Sequence, residues 1–115
     1  MNTVTIVGRV GRDASEDYKA FDSGKTKARF SVAVNRWDSK TKEEVTDWYN
    51  VEVWDKQAEF AYNYVKKGRQ VAIDGAIANN RWNDKATGED KESFFIRANT
   101  IKLLGSKNDT DISAA

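Results

Sequence analysis

Hydrophobic and polar residues alternate along most of this chain, and a period of two commits it to half-buried β-strands. Near the start, Val4, Ile6, Gly8 and Val10 share one face, with Thr3, Thr5 and Arg9 opposite. In a second run Thr26, Ala28, Phe30, Val32 and Val34 point one way, while Lys25, Lys27, Arg29, Ser31 and Asn35 point the other. A third strand is predicted near Thr46–Trp54, with Tyr49, Val51 and Val53 on the core face and Trp48, Asn50, Glu52 and Trp54 outside. The pattern breaks once. Across Lys56–Lys67, Ala58, Ala61, Tyr62 and Val65 recur at helical spacing, and Gly68 stands where a helix stops. Alternation returns near Gln70–Asn79, where Val71, Ile73, Gly75 and Ile77 face inward. The turn-rich segment Asn83–Glu89 predicts a hairpin loop. A last strand, near Glu92–Leu104, carries Phe94, Ile96 and Ala98 and then, after an irregularity, Ile101 and Leu103.

The order β-β-β-α-β-β predicts a mainly all-β chain in the OB-fold arrangement, a five-stranded Greek-key barrel with one helix between strands three and four. An unrelated small α+β roll is the alternative on pattern alone. The 115 residues suit one domain, read as 1–105. Residues 106–115 are small and polar and read as a short flexible C-terminal tail. Gly8-Arg9-Val10-Gly11 is too short for a nucleotide fingerprint and lies in a strand, so a bulge or bend is expected there.

Composition removes several classes of function. Without cysteine there is no disulfide framework, thiolate zinc site or thiol catalysis, and without histidine the commonest general base and non-sulfur metal ligand are missing. The carboxylates, lysines and hydroxyls left show no convergent arrangement. The chain is expected not to be an enzyme and to need neither cofactor nor metal. Asp84 and Glu89 suit the hairpin loop, and Asn108-Asp109-Thr110 matches a glycosylation acceptor without a secretion signal beside it. No apolar run approaches the roughly 20 residues of a membrane span, and Met1-Asn2-Thr3-Val4 does not open a signal peptide, so a cytoplasmic location is expected. The balance of 19 Lys+Arg against 18 Asp+Glu argues against gripping nucleic acid by bulk charge alone.

The anomaly is where the four tryptophans fall. Trp48 and Trp54 lie opposite the aliphatic face of their strand, six residues apart. Trp82 follows Asp74, Ala76, Ala78 and Asn80 in phase, away from Val71, Ile73 and Ile77. Trp37 comes just past the second strand, beside Arg36 and at the end of the row Lys25, Lys27, Arg29. Tryptophan covering a small second core or a subunit interface is the plain alternative. Four of them off the aliphatic faces, near Arg, Lys or Asn, fit stacking platforms for bases, a surface that binds single strands without reading sequence. Of the nearby cations Lys25, Lys27, Arg29, Arg36, Lys56 and Arg81, the best placed are Lys56, two residues after Trp54, and Arg81, adjacent to Trp82. Glu52, between the two outward Trp, is expected to weaken phosphate binding locally.

These residues carry a resemblance. Asn2-Thr3-Val4-Thr5-Ile6-Val7-Gly8-Arg9-Val10-Gly11-Arg12-Asp13 resembles the first strand of bacterial single-stranded DNA-binding proteins, and Phe30-Ser31-Val32-Ala33-Val34-Asn35-Arg36-Trp37 the second. Asp47-Trp48-Tyr49-Asn50-Val51-Glu52-Val53-Trp54, with Lys56 and Ala58-Glu59, is similar to the third strand and helix start. Tyr64-Val65-Lys66-Lys67-Gly68, Asp74-Gly75 and Arg81-Trp82 continue the series, and Ile101-Lys102-Leu103-Leu104-Gly105-Ser106-Lys107 looks most like cyanobacterial members. The likeness spans residues 2–107.

The resemblance implies an OB-fold homotetramer that coats and protects single-stranded DNA in replication, recombination and repair. It puts the stacking aromatics at Trp37, Trp48, Trp54 and Trp82; in much of the family the third is Phe. It also implies a nucleoid-associated location. Several features depart from the pattern. Ala14 stands where the family commonly has Pro, and Ser15–Lys19 carries two extra residues, so a different first loop is expected. Asn50, Ala78 and Asn80 replace basic residues. The family's Gly/Pro-rich tail with an acidic tip, its usual hook for replication and repair partners, has no counterpart in the sequence. Alternatives are a primosome-type OB accessory protein devoted to assembly, and an OB-fold binder of RNA.

Overall fold

A computed structural model describes residues 1–105; the segment read above as a tail, 106–115, lies outside the described residues. The alternating runs form strands β1 (Val4–Val10), β2 (Tyr18–Ala20), β3 (Thr26–Asp38), β4 (Glu43–Trp54), β5 (Gln70–Asn83) and β6 (Asp90–Leu104), and helix α1 (Lys56–Tyr64) joins β4 to β5. They hydrogen-bond in the order β1-β5-β6-β4-β3-β2, and β1 returns to pair β3 through Arg9↔Ala33 and Val10↔Val32. Five strands therefore close into the expected barrel, and short β2 is added to the free edge of β3. Phe30, Val32, Val51, Val53, Val71, Ile73 and Ile96 fill the interior, joined by Ala58 and Ala61 of α1. None of the described helices is long and apolar enough to cross a membrane.

Two glycines sit where backbones touch. No bulge forms at Gly8, where β1 runs straight through; the bend expected in this stretch falls at Gly11, just past the strand's end. A Cβ there would collide with the Ala33 carbonyl and stand 2.8 Å from Val32 Cγ1, so the glycine serves the close approach at the β1–β3 seam. The bulge lies instead at Gly75, where Asp74↔Thr100 is followed by Gly75↔Ala98 and Asn99 is extra on β6. Gln57 of α1 donates its side-chain N–H to the Asn99 carbonyl and holds that bulge. The extra residue reverses the phase of β6, so Ile101 and Leu103 return to the core side, as the irregularity in the sequence required.

Several boundaries differ from expectation. The helix stops at Tyr64, three residues short of Lys67, because Val65 turns out of helical geometry and buries its side chain in the core. Gly68 then carries the chain round at φ 86°. The first loop contains a 3₁₀ turn, Ala14–Asp17, in which Asp13 N–H donates to Glu16 Oε2 at 3.0 Å, followed by β2. Strands β3, β4 and β5 all outrun the barrel. Trp37 thus belongs to β3 rather than following it, and Ile77, inward by phase, is 48% exposed because its strand has passed the barrel's end.

Candidate nucleic-acid interface

Register decides which side chains meet on the outer face. Ala28, Phe30 and Val32 of β3 and Val51 and Val53 of β4 take the core side. The alternate pairs Lys27↔Trp54, Arg29↔Glu52, Ser31↔Asn50, Ala33↔Trp48, Asn35↔Thr46 and Trp37↔Glu44 therefore share the outside. Trp54, Trp48 and Trp37 form a line along this ribbon, spaced by about 20 Å and then about 13 Å at ~3.3 Å per residue. On the β5–β6 ribbon the corresponding pairs are Ala76↔Arg97, Ala78↔Phe95, Asn80↔Ser93 and Trp82↔Lys91. The two ribbons join through Val51↔Ile96 and Glu52↔Arg97 and then part. Between them runs a groove lined by Arg12, Arg29, Asn50, Asn80, Ser93 and Phe95.

The four Trp are held differently. Trp37, Trp48 and Trp82 are 65%, 61% and 45% exposed. Trp54 is half-buried: it stacks on Phe21 at 5.8 Å between centroids and 19° between planes. Lys27 Nζ lies 5.7 Å from both ring centroids, and Lys19 Nζ 5.1 Å from that of Phe21. The Trp54 indole N–H donates to Glu52 Oε1 at 2.7 Å.

Glu52 corrects the expectation of a surface charge between two Trp. It is 4% exposed, and its Oε2 accepts from Arg29 Nε and Nη2 at 3.3 and 3.1 Å. Arg97 Nε is 3.8 Å from Oε1. The other arginines of the expected set are paired as well. Arg36 Nε donates to Asp47 Oδ2 at 2.6 Å, and that hydrogen bond, then the Asp47 charge, raises the guanidinium pKa further above its ordinary value. Arg81 Nε lies 3.4 Å from Glu92 Oε2. Among the described residues Lys25, Lys27 and Lys56 make no ion pair. Lys25 sits in the β2–β3 turn and Lys56 opens α1.

The structure thus brings Lys27, Arg29 and Trp54 into one cluster, but it does not bring Arg36 to Trp37 or Arg81 to Trp82: the pairs Arg36↔Val45 and Arg81↔Glu92 alternate with those of the Trp and turn both arginines to the opposite face of their arms. Sequence reasoning missed Phe21, Lys19, Phe95 and Arg97. The last two were accessible, since they alternate with buried Ile96 and Ala98, and the face rule that found Trp48 finds them too. Phe21 lies between strands, where no periodicity marks a face.

The chain has known relatives. Residues 1–104 match the profile of the single-strand binding protein family. The single-stranded DNA-binding protein 1 of Nostoc sp. is 44% identical over 111 residues, covering 96% of this chain and 89% of that protein. The single-stranded DNA-binding protein 1 of Synechocystis sp. is 44% identical over 109 residues, covering 95% and 88%. Among solved structures, the chain is similar to a Plasmodium falciparum SSB complex with ssDNA, with a TM-score of 0.78 and 27% identity over 91% of this chain and 96% of that one.

Proposed function

Because the chain belongs to the single-strand binding protein family, we propose that it coats single-stranded DNA without reading its sequence and acts as a binding protein, not an enzyme. The observation that carries this is the outward line of Trp54, Trp48 and Trp37, with Trp82 on the neighbouring ribbon. Every base offers a π-face, so rings at such intervals hold bases spaced along the strand, with unstacked nucleotides between them, whatever their identity. Lys25, Lys27 and Lys56 meet phosphates directly, and Arg29 does so while sharing a carboxylate; Arg36 and Arg81, on the face opposite the neighbouring Trp, reach the strand only where it passes round an arm. Strand protection of this kind serves replication, recombination and repair, in the cytoplasm and at the nucleoid. The strand-binding unit is residues 1–105.

Assembly as a homotetramer belongs to the same reading. It is supported by the apolar residues the single barrel leaves uncovered: Tyr49, Ile77 and Phe94 are 38%, 48% and 59% exposed and line one groove with Val4 and Ile6, with Trp48 at its border to the strand-binding face. A patch of this kind suits contact between copies of the chain. The test is a poly(dT) titration followed by quenching of Trp emission, with poly(U) as competitor and mass measured in the same buffer. Quenching, a preference for poly(dT) and a fourfold mass are expected. Unquenched emission with no binding refutes the reading.

A further inference from the structure

Glu52 is the only buried carboxylate among the described residues, and it lies beneath the face assigned to the strand. Its two partners sit on the adjacent strands in register, Arg29 on β3 and Arg97 on β6. Their side chains are 47% and 58% exposed against 5% for Glu52, so both guanidiniums reach solvent above an acid that does not. One negative charge answers two positive ones. The pairs Arg36–Asp47 and Arg81–Glu92 are unlike this, because their carboxylates are 34% and 51% exposed and free to rearrange when a phosphate arrives. Glu52 is further fixed by the Trp54 indole N–H at 2.7 Å.

We infer that Glu52 is an internal counter-ion of the DNA-binding face, a positioning residue that shares one charge between Arg29 and Arg97 and orients Trp54. The inference rests on the strand-binding reading and says how that face is tuned. A guanidinium already compensated from below takes up less phosphate charge and releases fewer counterions from the strand. Glu52 therefore exchanges electrostatic affinity for tolerance of salt, while the hydrogen bond to Trp54 keeps the stacking surface in place.

The test is Glu52→Gln, which keeps the volume and an oxygen for the Trp54 N–H and removes the charge. Poly(dT) affinity is measured against salt for the wild type and the variant, with thermal midpoints alongside. Releasing one charge steepens the slope of log affinity against log salt by about 0.7, so a roughly fourfold fall in salt strengthens the variant roughly 2.6-fold more than the wild type. An unchanged slope in a folded variant overturns the inference. If Glu52→Gln fails to fold, the double variant Arg29→Met with Glu52→Met decides the matter. It removes a cation and its counter-ion together, so the inference predicts the wild-type slope. A slope shallower by about 0.7 means that Arg29 was an ordinary phosphate contact and refutes the role of Glu52. A wild type that does not bind poly(dT) refutes the strand-binding reading itself, a result distinct from either slope.

Discussion

The benzo ring of Trp48 lies against Gly11, so closely that a Cβ there would collide with Cζ3 and stand 3.0 Å from Cη2 and 2.8 Å from Ser31 Oγ. Gly11 N–H also donates to the Ser31 carbonyl at 2.9 Å, which fixes the backbone beneath the ring. The tryptophan that reaches outward from β4 is thus seated on the chain leaving β1, and a glycine is what lets it lie down.

Gly11→Ala is therefore expected to impair DNA binding through Trp48. The loss approaches that of Trp48→Ala, roughly 5- to 150-fold if stacking is worth about 1–3 kcal/mol per base, a range established for this class of binders rather than for this chain. Adding Gly11→Ala to Trp48→Ala is expected to cost no further affinity, since the ring it displaces is gone. Poly(dT) titrations of the two single variants and the double variant check this.

Asp55 predicts a reversal of the usual order of substitutions. It links Trp54 to α1 at φ 54° and ψ −122°, a conformation that favours glycine. Its Oδ1 accepts the Thr26 N–H at 3.2 Å, and its own N–H donates to the Thr26 carbonyl at 2.8 Å. Asp55→Ala loses the side-chain bond and keeps the strain, whereas Asp55→Gly loses the bond and relieves it. The glycine variant is expected to be the more stable of the two by about 1 kcal/mol in urea denaturation.

Salt dependence sorts the cations. Each phosphate neutralised on a single strand adds about −0.7 to the slope of log affinity against log salt. Lys56 makes no ion pair among the described residues, so Lys56→Gln is expected to flatten the slope by about that amount. Arg36→Gln and Arg81→Gln are expected to change it less, because Asp47 and Glu92 already share those charges. Equal changes for all three would show that the ion pairs open fully on binding.

How much of this was legible in the sequence follows from what alternation can encode. Period two carries the strands and the outward phase of Trp48, Trp54 and Trp82 because each depends on neighbours along one strand, whereas the barrel is inferred from the order of elements along the chain. Even the bulge at Asn99 left a trace, as Ile101 and Leu103 fall out of step with Ile96 and Ala98. Alternation cannot say where a strand leaves the barrel, so Ile77 was assigned to a core that ends before it. Nor can it report what crosses from another strand. Glu52 looked like an exposed acid because its burial comes from Arg29, Arg97 and Trp54, two of them on other strands. The Phe21–Trp54 stack was hidden for the same reason, its two rings standing 33 positions apart in the chain.

The central claim is that these rings face the DNA and the aliphatic residues beside them hold the fold. It is tested most directly by measuring thermal midpoint and poly(dT) affinity together for Trp48→Ala, Trp82→Ala and Val51→Ala. Val51 is 1% exposed, and its truncation is expected to cost on the order of 2 kcal/mol of stability while the folded fraction binds normally. Trp48 and Trp82, 61% and 45% exposed, are expected to lose affinity by roughly 5- to 150-fold with their midpoints nearly unchanged. Tryptophan variants that unfold early while the folded fraction binds as tightly as the wild type would contradict the account and make the rings structural.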